Sequence, residues 1–329
     1  MKGKLNIVSL FDGISCGRVA LGRAGIAVNS YAAFEIDKYA MAISRYNYPD
    51  ILQCGNVLDA DFSRFTGYDI VIGGSPCTFW SIAKTNREVD KSGVGWRLFM
   101  RFVEAVRLIR PRFFLYENVA SMPNSIRQYI TEELRAECIM INSALVSAQS
   151  RKRLYWSNIP NITQPNNKRV VLKDILTIKD VGAALRTRAD ENGSFKRLEV
   201  RHDGKMNAIT TVQTDSVICS PIRVGQFASG GQGNRIYSVH GKSISLMANG
   251  GGRGGKVGLY KVDLPDGDYV IRKLTPIEAE RCQTLPRGYT EFGTFDNGII
   301  KKISNTQRYK CIGNGWTVDV IAHILSFCA

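Results

Sequence analysis

An alternation that runs through the first half of this chain narrows its possible folds more than any other feature. Short β-rich runs, LNIVSLF (5–11), YAAFEI (31–36), DIVIGG (69–74), RFFLYEN (112–118) and CIMINSALV (138–146), take turns with helix-like segments near 16–24, 37–47, 96–110 and 123–137. That order predicts a doubly wound α/β sheet of mainly parallel strands, because successive parallel strands need crossover helices between them. After about residue 170 the pattern changes to short irregular strands, and between 225 and 258 glycines recur among Arg, Lys, Tyr and Phe. Linkers are mostly Gly and Ser, so this stretch is expected to form ordered loops in which backbone approaches a ligand closely. The closing run CIGNGWTVDVIAHILSF (311–327) returns to helical periodicity. The expected organisation is one large domain, residues 1–170 plus 300–329, with a smaller one inserted at 171–299.

Charge narrows the partners. Lys and Arg number 44 against 29 Asp and Glu, a net +15, a surplus that favours a polyanion such as nucleic acid. A merely soluble basic protein stays open as the plainer reading. Both parts carry the excess, +8 before residue 170 and +7 after it, so both could face one partner. Eight cysteines form no CxxC pair, which points to reduced thiols in a cytoplasmic setting. Three histidines without ligand spacing give no reason to expect a metal. No signal-peptide pattern and no apolar run of membrane-spanning length is apparent, so a soluble protein is expected.

In open α/β sheets ligands bind beyond the carboxyl ends of the strands, and several stretches put polar or glycine residues there. FDGISCG (11–17) follows the first strand, and its turn offers backbone N–H groups. The second strand ends in Glu35, whose carboxylate could accept both hydroxyls of a ribose; taken alone, a solvated charge at a helix start explains it equally well. Together the two suggest a nucleoside-containing cofactor.

Cys77 leaves the strand DIVIGG through Ser75 and Pro76. An isolated cysteine is usually a small buried hydrophobe, but a thiol delivered to a strand end beside a helix start has the surroundings of a reactive one. Glu117 ends the neighbouring strand, where an unpaired buried carboxylate would be costly; burial would raise its pKa and let it donate a proton. Arg151 and Arg153 in QSRKRLYW (149–156) have the spacing of one strand face and could meet one anion or carbonyl.

At this point the residues resemble the DNA cytosine-5 methyltransferases that use S-adenosylmethionine. The matching stretches are FDGISCG, Glu35, GGSPCTFWS (73–81), ENV (117–119), QSRKR (149–153), RKLTPIEAERCQTLP (272–286) and IGNG (312–315), in the family's order. The resemblance implies a Rossmann-like methyltransferase sheet with a smaller target-recognition domain. It implies Cys77 as nucleophile, Glu117 as the acid that meets the base, and Arg153 with Arg151 on the cytosine carbonyl and adjacent phosphate. Phe11, Asp12, Gly13, Glu35, Ile36, Asn56, Val57, Pro76, Leu98 and Asn314 fall where the family contacts its cofactor. Three positions depart from the pattern: Asn56 replaces a common aspartate, Trp316 follows Asn-Gly where smaller residues are usual, and Thr78 is shorter than the glutamine of some members.

The implied substrate is double-stranded DNA, with the target cytosine flipped from the helix. Residues 78–97 look like a loop that closes over it, with Gly93 and Gly95 as hinge candidates and Ser81, Lys84, Arg87, Lys91 and Arg97 as DNA contacts. Arg223, Arg235 and Arg253 are candidate base readers, any of which could bind phosphate instead. Monomeric action and a possible cognate restriction endonuclease follow from the resemblance. Two other readings stand beside it, a transfer-RNA cytosine-5 methyltransferase and a catalytically silent DNA-binding homologue.

Overall fold

The computed structural model describes residues 3–82, 85–177, 183–190, 193–200, 223–226, 232–248, 256–263, 269–296 and 298–328. Its centre is a seven-stranded sheet built from β1 (Leu5–Leu10), β2 (Val28–Phe34), β3 (Leu52–Gly55), β4 (Ile70–Gly73), β5 (Phe113–Val119), β6 (Cys138–Asn142) and β7 (Lys152–Ser157), in the order 3-2-1-4-5-7-6. Pairing is parallel from β3 to β5, and β7 runs antiparallel between β5 and β6. The mainly parallel sheet expected from the alternation is present. β3 was not anticipated, because LQCG is too short and polar to announce a strand.

Successive side chains of a strand point to opposite faces, and both faces here are covered. Ile7, Ile70, Ile72, Leu115 and Tyr155 pack with α1 (Cys16–Arg23) and the C-terminal α7 (Val318–Leu325). Val8, Val71, Phe114, Tyr116, Leu154 and Trp156 pack with α3 (Val94–Ile109) and α4 (Asn124–Leu134) on the other side. Strands buried on both faces read as continuous apolar runs, which is why LNIVSL and IVIG were readable without alternation. α2 (Lys38–Asn47) starts on Asp37, which accepts from the amides of Tyr39 and Ala40 at 2.8 and 3.2 Å, a common side-chain cap.

The intervening segment is β-rich. β8 (Ala183–Asp190) pairs with β9 (Gly193–Val200), and β10 (Arg223–Gln226), β11 (Arg235–Ser238), β12 (Leu259–Asp263) and β13 (Tyr269–Arg272) form a second sheet. A third core, including Val239, Leu246, Tyr260 and Leu274, holds that sheet against Ala148 and Ile312. The buried Lys242 ammonium donates to the carbonyls of Ala144 and Ser147 at 2.8 and 2.9 Å and to that of Val170. α5 (Pro276–Cys282) opens on a Thr275–Glu278 capping box, as the sequence TPIE allows. β14 (Phe292–Thr294) and β15 (Ile300–Lys302) form a hairpin whose first strand lies along α2.

An 18-residue window within Asn305–Cys328 reaches a mean hydropathy of 1.2, apolar enough for a membrane span. That segment is nevertheless broken into α6 (Asn305–Asn314) and α7 by residues 315–317, and Ile312, Val318, Ile321, Ile324 and Leu325 are all buried in the cores.

Candidate active site

The carboxyl ends of β1, β2, β4 and β5 meet on one rim, since Leu10 pairs with both Phe34 and Gly73, and Gly73 with Tyr116. A cavity of about 270 Å³ opens there. The proposed nucleophile Cys77 lines it together with Glu117, Arg151, Arg153 and, at the cofactor end, Phe11, Gly13, Glu35, Ile36, Asn56, Val57, Pro76, Leu98 and Asn314. Residues as far apart in the chain as Phe11 and Asn314, 303 positions, therefore meet.

The turn after β1 is strained. Phe11 and Ser15 adopt left-handed conformations with φ of 57° and 59°, and Gly13 has φ 60°; only glycine holds that region without cost, and such outliers cluster at functional sites. The result is that the Gly13 amide donates to Glu35 Oε2 at 2.8 Å, while Oε1 accepts from the amides of Ile36 and Asp37, both at 2.8 Å. Glu35 is thus fixed by three backbone donors, and each oxygen retains acceptor capacity toward the cavity. Beside it Ile36 is 73% exposed, an apolar surface presented at the rim.

Asp12 stands one residue deeper. Its carboxyl accepts from Tyr31 Oη at 2.6 Å and Ser15 Oγ at 2.5 Å, yet burial outweighs these donors and pushes its pKa up to about 6. Asn56 Oδ1 caps a short helical turn by accepting from the Leu58 amide at 3.1 Å, which leaves its NH₂ group and one acceptor site of Oδ1 for other partners.

At the chemical end, Glu117 Oε1 lies 2.9 Å from Arg153 Nε, with both side chains mostly buried. Glu117 pairs in register with Tyr155 and Val119 with Arg153, so the ion pair is the diagonal contact of one sheet face. Arg151 goes elsewhere. It precedes β7 rather than sharing its face, and its buried guanidinium donates to the carbonyls of Leu246, Gly313 and Gly315 at 3.0, 3.2 and 3.2 Å. Desolvation, then the charge of Arg153, lowers its pKa from the usual range. The Ser75–Pro76–Cys77 loop is held from below by a buried network that the sequence did not announce. Ser75 Oγ is 2.6 Å from Tyr116 Oη, and Asn118 Nδ2 donates to the Ser75 carbonyl at 3.1 Å.

The proposed DNA contacts are dispersed. Lys84 and Arg253 lie outside the described residues. Ser81 begins the loop, its amide 3.0 Å from the Cys77 carbonyl. Arg87 donates to the Ser121 carbonyl at 2.8 Å, and the Lys91 ammonium sits 4.5 Å from the Tyr129 ring centre and 3.8 Å from Glu133. Arg97 is exposed on the first turn of α3. At Gly95 a Cβ would lie 2.7 Å from Phe79 Cβ and 2.8 Å from Glu88 Oε2, so close approach of the loop explains that glycine. Arg223 and Arg235 sit in β10 and β11, and Arg223 bonds Gln226.

The family model for C-5 cytosine-specific DNA methylases matches residues 5–328. The type II methyltransferase M.HhaI of Haemophilus parahaemolyticus is 26% identical over 341 aligned positions, covering 97% of this chain and 93% of that protein. The orphan methyltransferase M.Rho11sI of Bacillus phage rho11s is 27% identical over 80% of this chain, which spans 61% of that longer protein. The Entamoeba histolytica methyltransferase EhMeth shares the fold at a TM-score of 0.67 and 14% identity, with 99% of this chain and 98% of that one covered. The chain belongs to the C-5 cytosine-specific DNA methylase family.

Proposed function

We propose that this protein transfers a methyl group from S-adenosylmethionine to carbon 5 of a cytosine flipped out of duplex DNA. The observation that carries the reading is that Cys77, Glu117 and Arg153 line the same cavity as the Glu35 and Ile36 end. The residues at that end fit the cofactor: a carboxylate braced by three amides for ribose hydroxyls, and an exposed apolar side chain for a flat base. When bound, S-adenosylmethionine supplies an electrophilic methyl group.

Carbon 5 of cytosine is a poor nucleophile, and the chain's own groups remedy this. Cys77 adds as thiolate to carbon 6, leaving an enamine whose carbon 5 is electron-rich. As negative charge gathers on ring nitrogen 3, the Glu117 carboxyl group delivers its proton there, and Arg153, by pairing with the carboxylate that this leaves, orients it. Removal of the carbon 5 proton by a base then expels the thiol and restores the ring.

Relatives named as type II methyltransferases, the family match and the net +15 charge support DNA as the substrate. Incorporation of labelled methyl groups into duplex DNA and into transfer RNA, with and without cofactor, tests it. Transfer to DNA alone is expected. Transfer to RNA alone, or none to either, would overturn the proposal.

A further inference from the structure

We propose that Trp316 is a positioning residue for the Glu117 carboxyl group, a role that rests on reading Glu117 as the group that meets the target base. Its indole Nε1–H donates to Glu117 Oε2 at 3.0 Å, the oxygen that Arg153 leaves free. A glutamate held through one oxygen can still swing about its terminal bonds. Two donors from separate elements, β7 and the turn between α6 and α7, fix the carboxylate plane as well. Orientation of this kind before the substrate arrives lowers the entropic cost of the reaction.

Gly74 lies beside the pair: a Cβ there would stand 2.8 Å from the Glu117 carbonyl oxygen and 3.0 Å from its Oε2, with Trp316 Nε1 in ordinary contact at 3.4 Å. The turn that carries Trp316 is itself anchored. Arg151 donates to the carbonyls of Gly313 and Gly315, Gln283 Nε2 to those of Ile312 and Gly315, and Thr317 Oγ1 lies 2.7 Å from Gln283 Oε1. Arg151, which also lines the cavity, thus fastens the loop that aims the indole. Indole is a donor only, so it leaves the other acceptor sites of Oε2 to an amino-bearing base.

The test separates the N–H from the bulk of the ring. Trp316→Phe is expected to lower kcat for methyl transfer about tenfold, the equivalent of one hydrogen bond, with KM for DNA and cofactor within about twofold. Site-specific replacement of Trp316 by benzothienylalanine, which keeps the bicyclic shape without the N–H, should reproduce that loss. Wild-type kcat in the benzothienylalanine protein, or a rise confined to the cofactor KM, would show that the ring only packs. A second readout needs no turnover: the indole ¹⁵N–¹H resonance identified by its loss in Trp316→Phe should move in Glu117→Gln. An unmoved resonance would overturn the proposal, whereas absence of transfer to DNA by the wild-type protein would defeat the functional reading alone.

Discussion

Arg153 and Glu117 meet across two antiparallel strands, Nε to Oε1 at 2.9 Å, with side chains only 14% and 11% exposed. A pair this far from water is costly to half-remove, and its carboxylate faces the cavity that also holds Cys77.

Glu117→Gln keeps the shape and removes the charge. We expect kcat to fall by about 10²- to 10³-fold, the range of a lost acid–base partner, with DNA affinity changed less than threefold. Single-turnover transfer and equilibrium DNA binding measure the two quantities. Equal losses in both would mark the residue as structural.

Arg151 is predicted to act chiefly through the fold. Arg151→Ala leaves three buried carbonyls, those of Leu246, Gly313 and Gly315, without their donor, which should cost about 2–4 kcal/mol of stability. Denaturant unfolding of the variant checks this. An unchanged midpoint with lost activity would place the guanidinium on substrate instead.

Asp12 links stability to pH. Its folded pKa of about 6 lies above the 3.8 of a free aspartate, so between these values the folded state binds the proton that the unfolded state has lost. Stability should therefore fall as pH rises from about 4 to 6, by roughly 3 kcal/mol from this group. Asp12→Asn should flatten that slope in thermal melts; an identical slope in the variant would contradict the assignment.

Arg97 is exposed on the first turn of α3, whereas Arg87 is spent on the Ser121 carbonyl. If Arg97 meets a phosphate, Arg97→Ala should weaken DNA binding uniformly across sequences and reduce the dependence of log Kd on log salt by about one. An unchanged slope would leave it a solvated charge.

The strand ends were readable because the apolar runs of β1, β4 and β5 give way abruptly to Asp12, Gly73 and Glu117, and such breaks have few structural uses. Direction was not: nothing in RLYW says that β7 runs antiparallel to β5. Spacing likewise put Arg151 and Arg153 on one face, but it could not tell that the strand begins at Lys152 and leaves Arg151 to turn inward. The contact between Trp316 and Glu117 spans 199 positions, and only the folded chain brings the indole to the carboxylate. Membership of the family makes the sheet and the Cys77 loop expected, whereas no local pattern in the sequence says what Arg223 and Arg235 of the second sheet meet.

The central claim is that Cys77 bonds to carbon 6 of an extruded cytosine. A duplex bearing 5-fluorocytosine at the target cannot release its carbon 5 substituent as a proton, so with S-adenosylmethionine the wild-type protein should form a stable covalent complex, seen by denaturing electrophoresis and mapped by mass spectrometry to Cys77. Cys77→Ala should form none while still binding cofactor. No adduct under conditions where the unmodified duplex is methylated would contradict the account.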